Sequence, residues 1–441
     1  MTLKDLLLTP IYLLIIYLIA YAIRNQIKNK QIRTYFIPAL HAKIIGALAL
    51  GLIYQFYYGG GDTYNFFRDS GIIWQAFLTS PLIGIRILFA GVENYSPDLY
   101  EFTRHIYFFS AGDAQTFHVI RLSGFFDIFS FHTYSINAIF FAIASFTGVW
   151  AMYKVFYDLF PGLHRPLAIA VFFIPSVFFW GSGLMKDTIA MGALGWLFHA
   201  FYFGLIRRKQ VVVNLIVLFI ALNIIRIIKV YILQAFLPAA FLWLFLQYRA
   251  SIKSRPLRII SFPFVIALTI PFAYIALIQI TVDNERYQLE NVISTTQVTS
   301  DWLATVSERE GGSGYTLGEI SYTPTGLLSI APRAIWLGLF QPHPWQANNP
   351  VMLLSAIEAT FFLFLTIKIF FQVNFFKLMN LFFQYPILTF CLIFSLVLAF
   401  GVAIASFNFG TMVRYRIPMM PFYLAMLYLI QYLSRDSKKI F

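Results

Sequence analysis

The chain has 441 residues, of which 59% are hydrophobic and 12% are charged, and it carries a formal net charge of +13. Soluble proteins contain about 25% charged residues. The polar surface here is too small to cover water-facing domains, which excludes an ordinary soluble enzyme and a disordered chain. A single cysteine also excludes a disulfide scaffold. The composition therefore predicts an all-α polytopic membrane protein.

Apolar segments long enough to cross a bilayer recur along the whole chain. A helix of about 20 apolar residues spans the bilayer core, and the sequence contains about eleven such segments. The first one lacks a basic leader and a small-residue cleavage site, so we predict a retained helix rather than a signal peptide. The predicted spans cover residues 6–23, 41–58, 133–153, 166–184, 188–206, 211–226, 230–248, 259–281, 351–370, 386–406 and 418–433.

Short loops between these spans carry clusters of lysine and arginine. Such clusters favour the cytoplasmic side, which places the N-terminus outside and the C-terminus inside. This topology puts 19 of the 32 basic residues on the inner side, together with only two acids, Asp158 and Asp436. The net charge thus reflects membrane topology, and we predict no nucleic-acid partner. The clusters comprise Arg24, Lys28, Lys30 and Arg33; Arg207, Arg208 and Lys209; Arg249, Lys253, Arg255 and Arg258; and Arg435, Lys438 and Lys439.

Two long segments, 59–132 and 282–350, fall on the predicted outer side. Both contain amphipathic stretches and turn residues, so we expect outward-facing loops that carry interfacial helices. The stretch 72–91 is apolar but interrupted by polar residues and a proline, and we interpret it as an interfacial or re-entrant helix. We predict that residues 1–441 form a single integral membrane domain.

Cysteine labelling tests the predicted orientation. In intact cells a membrane-impermeant thiol reagent should label Ser313→Cys, and it should label Ser437→Cys only after permeabilisation. The positive-inside charge distribution is the physical reason. The native Cys391 lies in an apolar span and provides the background signal in the unsubstituted protein. Labelling of Ser437→Cys from outside would reverse the topology.

The first outer segment opens with three glycines followed by Asp62. Glycines let the chain leave the preceding helix at sharp angles. A carboxylate at the membrane boundary can act as a general base toward an acceptor hydroxyl or amine, so Asp62 is the candidate catalytic residue. A solvated loop acid is the alternative. Arg68 and Asp69 follow in the same segment, where they could orient Asp62 or pair with each other.

A tight glycine-containing turn between the fourth and fifth predicted spans ends at Lys186 and Asp187. A lysine on the outer side runs against the positive-inside trend and can bind an anion such as a lipid phosphate. The alternative is a polar turn that interacts mostly with water.

Four more cations lie at membrane depth on the predicted outer side. Arg226 and Lys229 share one helical face beside a very short connection, and Arg414 and Arg416 precede the last span. A buried charge there costs about 2.5–3.5 kcal/mol on insertion scales. Five cations in this position, with Lys186, favour a shared anionic ligand. Snorkelling of the side chains and pairing with outer acids are the alternatives.

Two further residues are weaker candidates. Arg333 could reach the same cavity, and Glu358 lies inside the ninth predicted span, where it needs a polar partner. The outer histidines have no metal-ligand spacing. We therefore predict no tightly bound metal and no cofactor, and a loosely held divalent cation near Asp62 is compatible with the sequence.

Some of these motifs resemble a known family. The run Arg414-Tyr415-x-x-Pro418-x-x-Pro421 resembles the C-terminal element of bacterial C-type glycosyltransferases of the protein-mannosyltransferase and aminoarabinose-transferase kind. Asp62 with Tyr64 resembles the acidic outer loop of that family. The resemblance implies that the loop acid activates the acceptor and that arginines near the last spans hold a polyprenyl phosphate. The turn at Lys186 and Asp187 also resembles polar turns of membrane polysaccharide polymerases.

The sequence thus favours a glycosyltransferase on the outer face of a bacterial cytoplasmic membrane. Its donor would be a polyprenyl-phosphate-linked sugar and its acceptor a cell-envelope glycan, lipid or protein. We expect one outward-opening cavity with Asp62 as the base. A polysaccharide polymerase and a transporter or flippase for lipid-linked substrates are the alternatives. The expected substrate-binding residues are Tyr64, Arg68, Lys186, Asp187, Arg226, Lys229, Arg333, Arg414 and Arg416.

Overall fold

The computed structural model describes residues 2–92, 96–250, 252–254, 298, 305, 314–318, 321 and 323–436. Every regular element in these residues is helical, which confirms the predicted all-α class. The helices are α1 (Leu3–Gln26), α2 (Lys30–Phe56), α3 (Asp62–Thr79), α4 (Pro81–Phe89), α5 (Pro97–Thr103), α6 (Tyr107–Ser110), α7 (Ala114–Ser130), α8 (Tyr134–Leu159), α9 (His164–Phe172), α10 (Pro175–Trp180), α11 (Lys186–Ala200), α12 (Val211–Lys229), α13 (Tyr231–Ala250), α14 (Pro324–Phe340), α15 (Pro350–Gln372), α16 (Phe375–Gln384), α17 (Pro386–Ser406), α18 (Phe409–Tyr415) and α19 (Met420–Asp436).

The described residues contain eight helices that are long and apolar enough to cross a membrane, so the protein is a multi-pass membrane protein. The pair α18 and α19 adds a ninth span if the two helices, bent by 67°, are counted together. The candidate helices include α1, α2, α8, α12, α13, α15 and α17, together with α11 and its π-helical extension to Ile206.

The predicted span 166–184 differs from the structure. It is divided into α9 and α10, with a break before Pro175. Proline donates no backbone hydrogen bond and disfavours helical geometry in the residue before it, which accounts for the break. The predicted span 259–281 lies outside the described residues, as do Ser313 and Ser437.

The stretch 72–91 contains two helices rather than one. The helix α3 ends at Thr79, and α4 begins at Pro81 in the favoured first helical position. Neither helix qualifies as a membrane span among the described helices.

The chain divides into two compact units. Unit 1 comprises Met1–Met152 and Phe178–Trp196, and unit 2 comprises Tyr153–Val177 and Leu197–Phe441.

Within unit 1, the start of α1, the end of α2 and the start of α8 lie at the same end. The Asp5 carboxylate accepts hydrogen bonds from the backbone and hydroxyl of Ser135, both at 2.8 Å. The hydroxyl of Tyr64 in α3 donates to the Gly51 carbonyl near the end of α2, at 3.2 Å. The loop 59–132 therefore emerges at the end of unit 1 that also holds the start of α1.

A pH-sensitive histidine lies in that loop. Burial, reinforced by the charge of Arg121, lowers the pKa of His118 in α7 to about 4. The pKa of a histidine in an unfolded chain is about 6.5. Between about pH 6.5 and pH 4, therefore, His118 binds a proton in the unfolded chain but not in the folded chain. We expect stability to fall as the pH drops through this window. Thermal unfolding at pH 7.5 and pH 5 should show a smaller difference for His118→Gln than for the unsubstituted protein. The exposed His105→Gln is the matched control, and an equal difference in all three proteins would contradict the prediction.

Within unit 2, contacts gather at two opposite ends of its long helices. At one end, Lys229 closes α12 and lies over the Tyr415 ring at the end of α18. At the other end, the Lys377 ammonium donates to the Ser434 carbonyl at 2.8 Å, near the end of α19. The first end also holds the end of α14 and the turn between α18 and α19, and these elements form the candidate site.

Candidate functional site

The side chain of Arg416 is fully buried at this end of unit 2. Its Nη1 donates to the carbonyls of Gly338 and Gln341, at 3.2 and 2.5 Å, at the end of α14. Its Nε and Nη2 are buried and have no hydrogen-bond partner among the described residues. An unsatisfied buried donor costs about 1–3 kcal/mol, and more when it is charged. Half of this guanidinium therefore presents donors that an anionic acceptor would satisfy.

The intramembrane acid Glu358 lies close enough to Arg416 for their charges to interact. Its two carboxylate oxygens are held by Ser176, which donates its backbone N–H at 2.8 Å and its hydroxyl at 2.6 Å. Glu358 is thus the buried acid that the sequence singled out, and Ser176 at the start of α10 is the polar partner that it needs. The Arg416 Nε and Nη2 make no hydrogen bond to Glu358 or to another described residue.

Lys229 is buried beside the same turn. Its ammonium lies 4.1 Å from the centroid of the Tyr415 ring and donates to the Tyr231 hydroxyl at 3.3 Å. A cation over an aromatic face is stabilised by the ring quadrupole. Tyr415 directly precedes Arg416. Lys229 of α12 and Arg416, which follows α18, therefore lie at the same end of unit 2.

Two other predicted cations belong to these elements. Arg226 lies one turn before Lys229 in α12, and Arg414 lies in the last turn of α18; both are half-buried. Only Val230 separates α12 from α13, as the short connection predicted. Arg226 and Lys229 thus lie in the last turn of α12, Arg414 lies in the last turn of α18, and Arg416 follows it directly.

Arg333 has a different environment from the one expected. It is exposed in α14 and donates to the carbonyls of Leu317 and Thr316, at 3.0 and 3.2 Å. The neighbouring Tyr315 hydroxyl donates to the Ala403 carbonyl at 2.7 Å. Arg333 therefore fixes the segment 314–318 against α14, and its role in substrate binding stays a prediction.

In unit 1, Asp62 is the first residue of α3 and is half-buried. The preceding Gly61 has a φ of 125°, a conformation that only glycine adopts readily. A carboxylate in the first turn of a helix is stabilised by the helix dipole. The three glycines lie between the end of α2 and the start of α3, and Asp62 begins the new helix.

The neighbours of Asp62 along α3 make contacts inside the protein. The Tyr64 ring stacks on Tyr134 with centroids 4.3 Å apart. Arg68 lies 3.2 Å from the carboxylate of the buried Asp69, so the alternative in which these two residues pair is the one the structure contains. Neither contact tests whether Tyr64 and Arg68 bind a substrate.

The turn before Lys186 is more deeply buried than the sequence indicated. Residues 180–185 are all buried, and Asp187 is buried as well. The Lys186 ammonium lies 3.9 Å from the Asp113 carboxylate. Lys186 therefore forms an ion pair with an acid of the first outer segment.

Sequence reasoning missed Lys43, which holds this turn from the middle of α2. Its buried ammonium donates to the Gly181 carbonyl at 2.6 Å and to the Ser145 hydroxyl at 3.2 Å. Its place within a predicted span was the available signal, because a lysine at that depth needs polar partners.

A second missed feature is a polar cluster around Asp127 in α7. Asp127 is fully buried and accepts from the Ser70 hydroxyl at 2.7 Å and the Asn137 amide at 2.8 Å. The His132 Nδ1 lies 3.2 Å from the same carboxylate. The available signal was the helical spacing of Ser123, Asp127 and Ser130, which puts three polar residues on one face of α7.

The described residues contain no group of three or more histidine, cysteine or acidic side chains that could hold a metal ion. Comparisons with protein-family models, curated proteins and solved structures gave no match for this chain. The side-chain geometry is therefore the basis for assigning a function. A single cavity that joins Asp62 and Lys186 to the cations of unit 2 stays a prediction.

Proposed function

We propose that the protein is a membrane glycosyltransferase whose donor is a sugar linked to a polyprenyl phosphate. The observation that supports this proposal is the buried Arg416 guanidinium, whose Nε and Nη2 lack acceptors among the described residues. A phosphate oxygen is a suitable acceptor, because arginine binds phosphate through short, charge-assisted and often bidentate hydrogen bonds. Lys229 at the same end of unit 2 adds a second positive charge.

These cations would serve both binding and chemistry. They would hold the donor phosphate and stabilise the negative charge that develops on it as the bond to the anomeric carbon breaks. The attacking hydroxyl of a glycan, lipid or protein acceptor must lose its proton to a base, and the sequence nominates Asp62 for this role. The reaction would occur on the outer face of a bacterial cytoplasmic membrane, where the lipid-linked sugar is presented.

A reconstituted assay tests this proposal. The purified full-length protein is placed in liposomes with total lipid-linked sugars and glycans extracted from the cells that make it. We expect release of polyprenyl phosphate or diphosphate together with a glycosylated product, both detected by mass spectrometry. A ladder of repeating units would identify a polymerase instead. Movement of intact lipid-linked sugar across the bilayer without bond cleavage would overturn the proposal in favour of a flippase.

A further inference from the structure

A short helix, α16, connects two long helices of unit 2. Only Val373 and Asn374 separate it from α15, and only Tyr385 separates it from α17. Both neighbours are long and apolar enough to cross a membrane. A helix of ten residues, in contrast, is about 15 Å long and covers half of the bilayer core. The short linkers therefore keep α16 at one end of the two spans, at the boundary between membrane and water.

One face of α16 is attached to the protein. Leu381 is buried, and the Thr389 hydroxyl of α17 donates to the Phe382 carbonyl at 2.9 Å. The Lys377 ammonium donates to the Ser434 carbonyl near the end of α19, at 2.8 Å. These contacts hold α16 against α17 and α19, so its outward faces have a defined orientation.

A second face of α16 is apolar and exposed. Phe376 and Phe383 are 81% and 53% exposed. Residues seven positions apart lie on the same side of a helix, so the two rings share one face. Two aromatic side chains on one exposed face are unfavourable in water, and transfer of this face to an apolar environment would stabilise it.

A polar stripe runs beside the apolar face. Lys377, Asn380 and Gln384 are three and four positions apart, which aligns them along the helix. Asn380 and Gln384 are exposed. The outward side of α16 is therefore apolar along one edge and polar along the other, which is the pattern of a helix that lies in the plane of a membrane interface.

The surroundings of α16 favour lipid as the partner of its apolar face. The last turn of α15 has Phe370 and Phe371 71% and 83% exposed, and apolar side chains exposed on a membrane span face the lipid. Exposed apolar side chains thus continue from the end of this span into α16. Lys377, the one basic residue of α16, is bonded to the protein. The attraction therefore comes from apolar burial rather than from anionic headgroups.

We infer that α16 is an interfacial helix that inserts Phe376 and Phe383 at the boundary between headgroups and acyl chains, while Asn380 and Gln384 face water. Its partner is the leaflet on the predicted inner side, because α16 lies beside the end of α19 that the positive-inside topology places there. Through its bonds to α17 and α19, the helix fixes the depth of these two helices in the bilayer.

Spin labelling in liposomes tests this assignment. Single cysteines that replace the four exposed residues carry a nitroxide, and its collisions with oxygen, which enters the bilayer, and with a water-soluble nickel chelate are measured. We expect Phe376→Cys and Phe383→Cys to collide more often with oxygen than with the chelate. Asn380→Cys and Gln384→Cys should show the reverse preference. The native Cys391 is fully buried, and the signal of the labelled unsubstituted protein is subtracted.

Leu14→Cys is the lipid reference, because Leu14 lies in the middle of the span α1 and is 63% exposed. The labels at Phe376 and Phe383 should lie nearer the membrane surface than this reference, in phosphatidylcholine liposomes with or without anionic lipid. A preference for the nickel chelate at both positions would overturn the inference, since the face would then be in water. Rare collisions with both reagents would also overturn it, because protein would cover the face. A preference for oxygen at all four positions would place the whole helix among the acyl chains and contradict an interfacial location. These collisions involve no donor or acceptor sugar, so their outcome is independent of the proposed glycosyltransferase activity.

Discussion

Replacement of Arg416 by lysine should weaken the binding of polyprenyl phosphate by roughly ten- to one-hundredfold, the range that corresponds to hydrogen bonds to a charged group. Lysine preserves the positive charge but lacks the planar fork of donors. In the protein, Nη1 is already committed to the carbonyls of Gly338 and Gln341. A single ammonium cannot keep those contacts and also replace Nε and Nη2, so the phosphate contacts are lost first.

The measurement is titration of the purified protein in nanodiscs with polyprenyl monophosphate, followed by native mass spectrometry. Arg208→Lys is the matched control, because Arg208 lies at the opposite end of unit 2 and donates to the Tyr248 hydroxyl. We expect this control to bind the lipid as the unsubstituted protein does. Equal affinity of all three proteins would remove Arg416 from the donor site, and thermal unfolding of each variant would show whether the fold is preserved.

The position of Arg416 shows what hydropathy can predict in this chain. A charge at membrane depth is costly, so the sequence alone predicted that Arg416 has a binding or structural role on the outer side. The sequence also indicated its helix-end neighbours, because the short connection after Lys229 leaves that lysine at the same depth. It could not indicate which donors of Arg416 are occupied, since the acceptors Gly338 and Gln341 are far away in the chain and contribute only backbone carbonyls.

The same limit explains the residues that sequence reasoning missed. Lys43 depends on a carbonyl at Gly181 and a hydroxyl at Ser145, and Asp127 depends on Ser70, which is 57 residues away. Such partners become neighbours only after the helices pack. Hydropathy located most of the long helices because length and apolar content are local properties, and it failed at 166–184 because the break there is a backbone effect of Pro175.

Close packing between α8 and α11 in unit 1 leads to the prediction with the largest effect on stability. A Cβ at Gly148 would overlap the carbonyl oxygen of Gly192, and a Cβ at Gly195 would overlap the carbonyl oxygen of Gly148. Small residues allow helix backbones to approach closely in membranes. Because the obstructing atoms belong to the backbone, no side-chain rotation can relieve the overlap, and the helices must move apart.

Gly148→Ala should therefore destabilise the protein by about 3 kcal/mol or more, at the upper end of the cost of overpacking a well-packed interior. Gly401→Ala in α17 provides a control of the same chemistry, since a Cβ there meets nothing within 4 Å. Both substitutions gain the same intrinsic helix propensity, about 1 kcal/mol in favour of alanine. The difference between them in unfolding by denaturant in detergent micelles thus isolates the steric cost at the helix contact. If Gly148→Ala were as stable as Gly401→Ala, α8 and α11 could not be packed as closely as their three glycines allow.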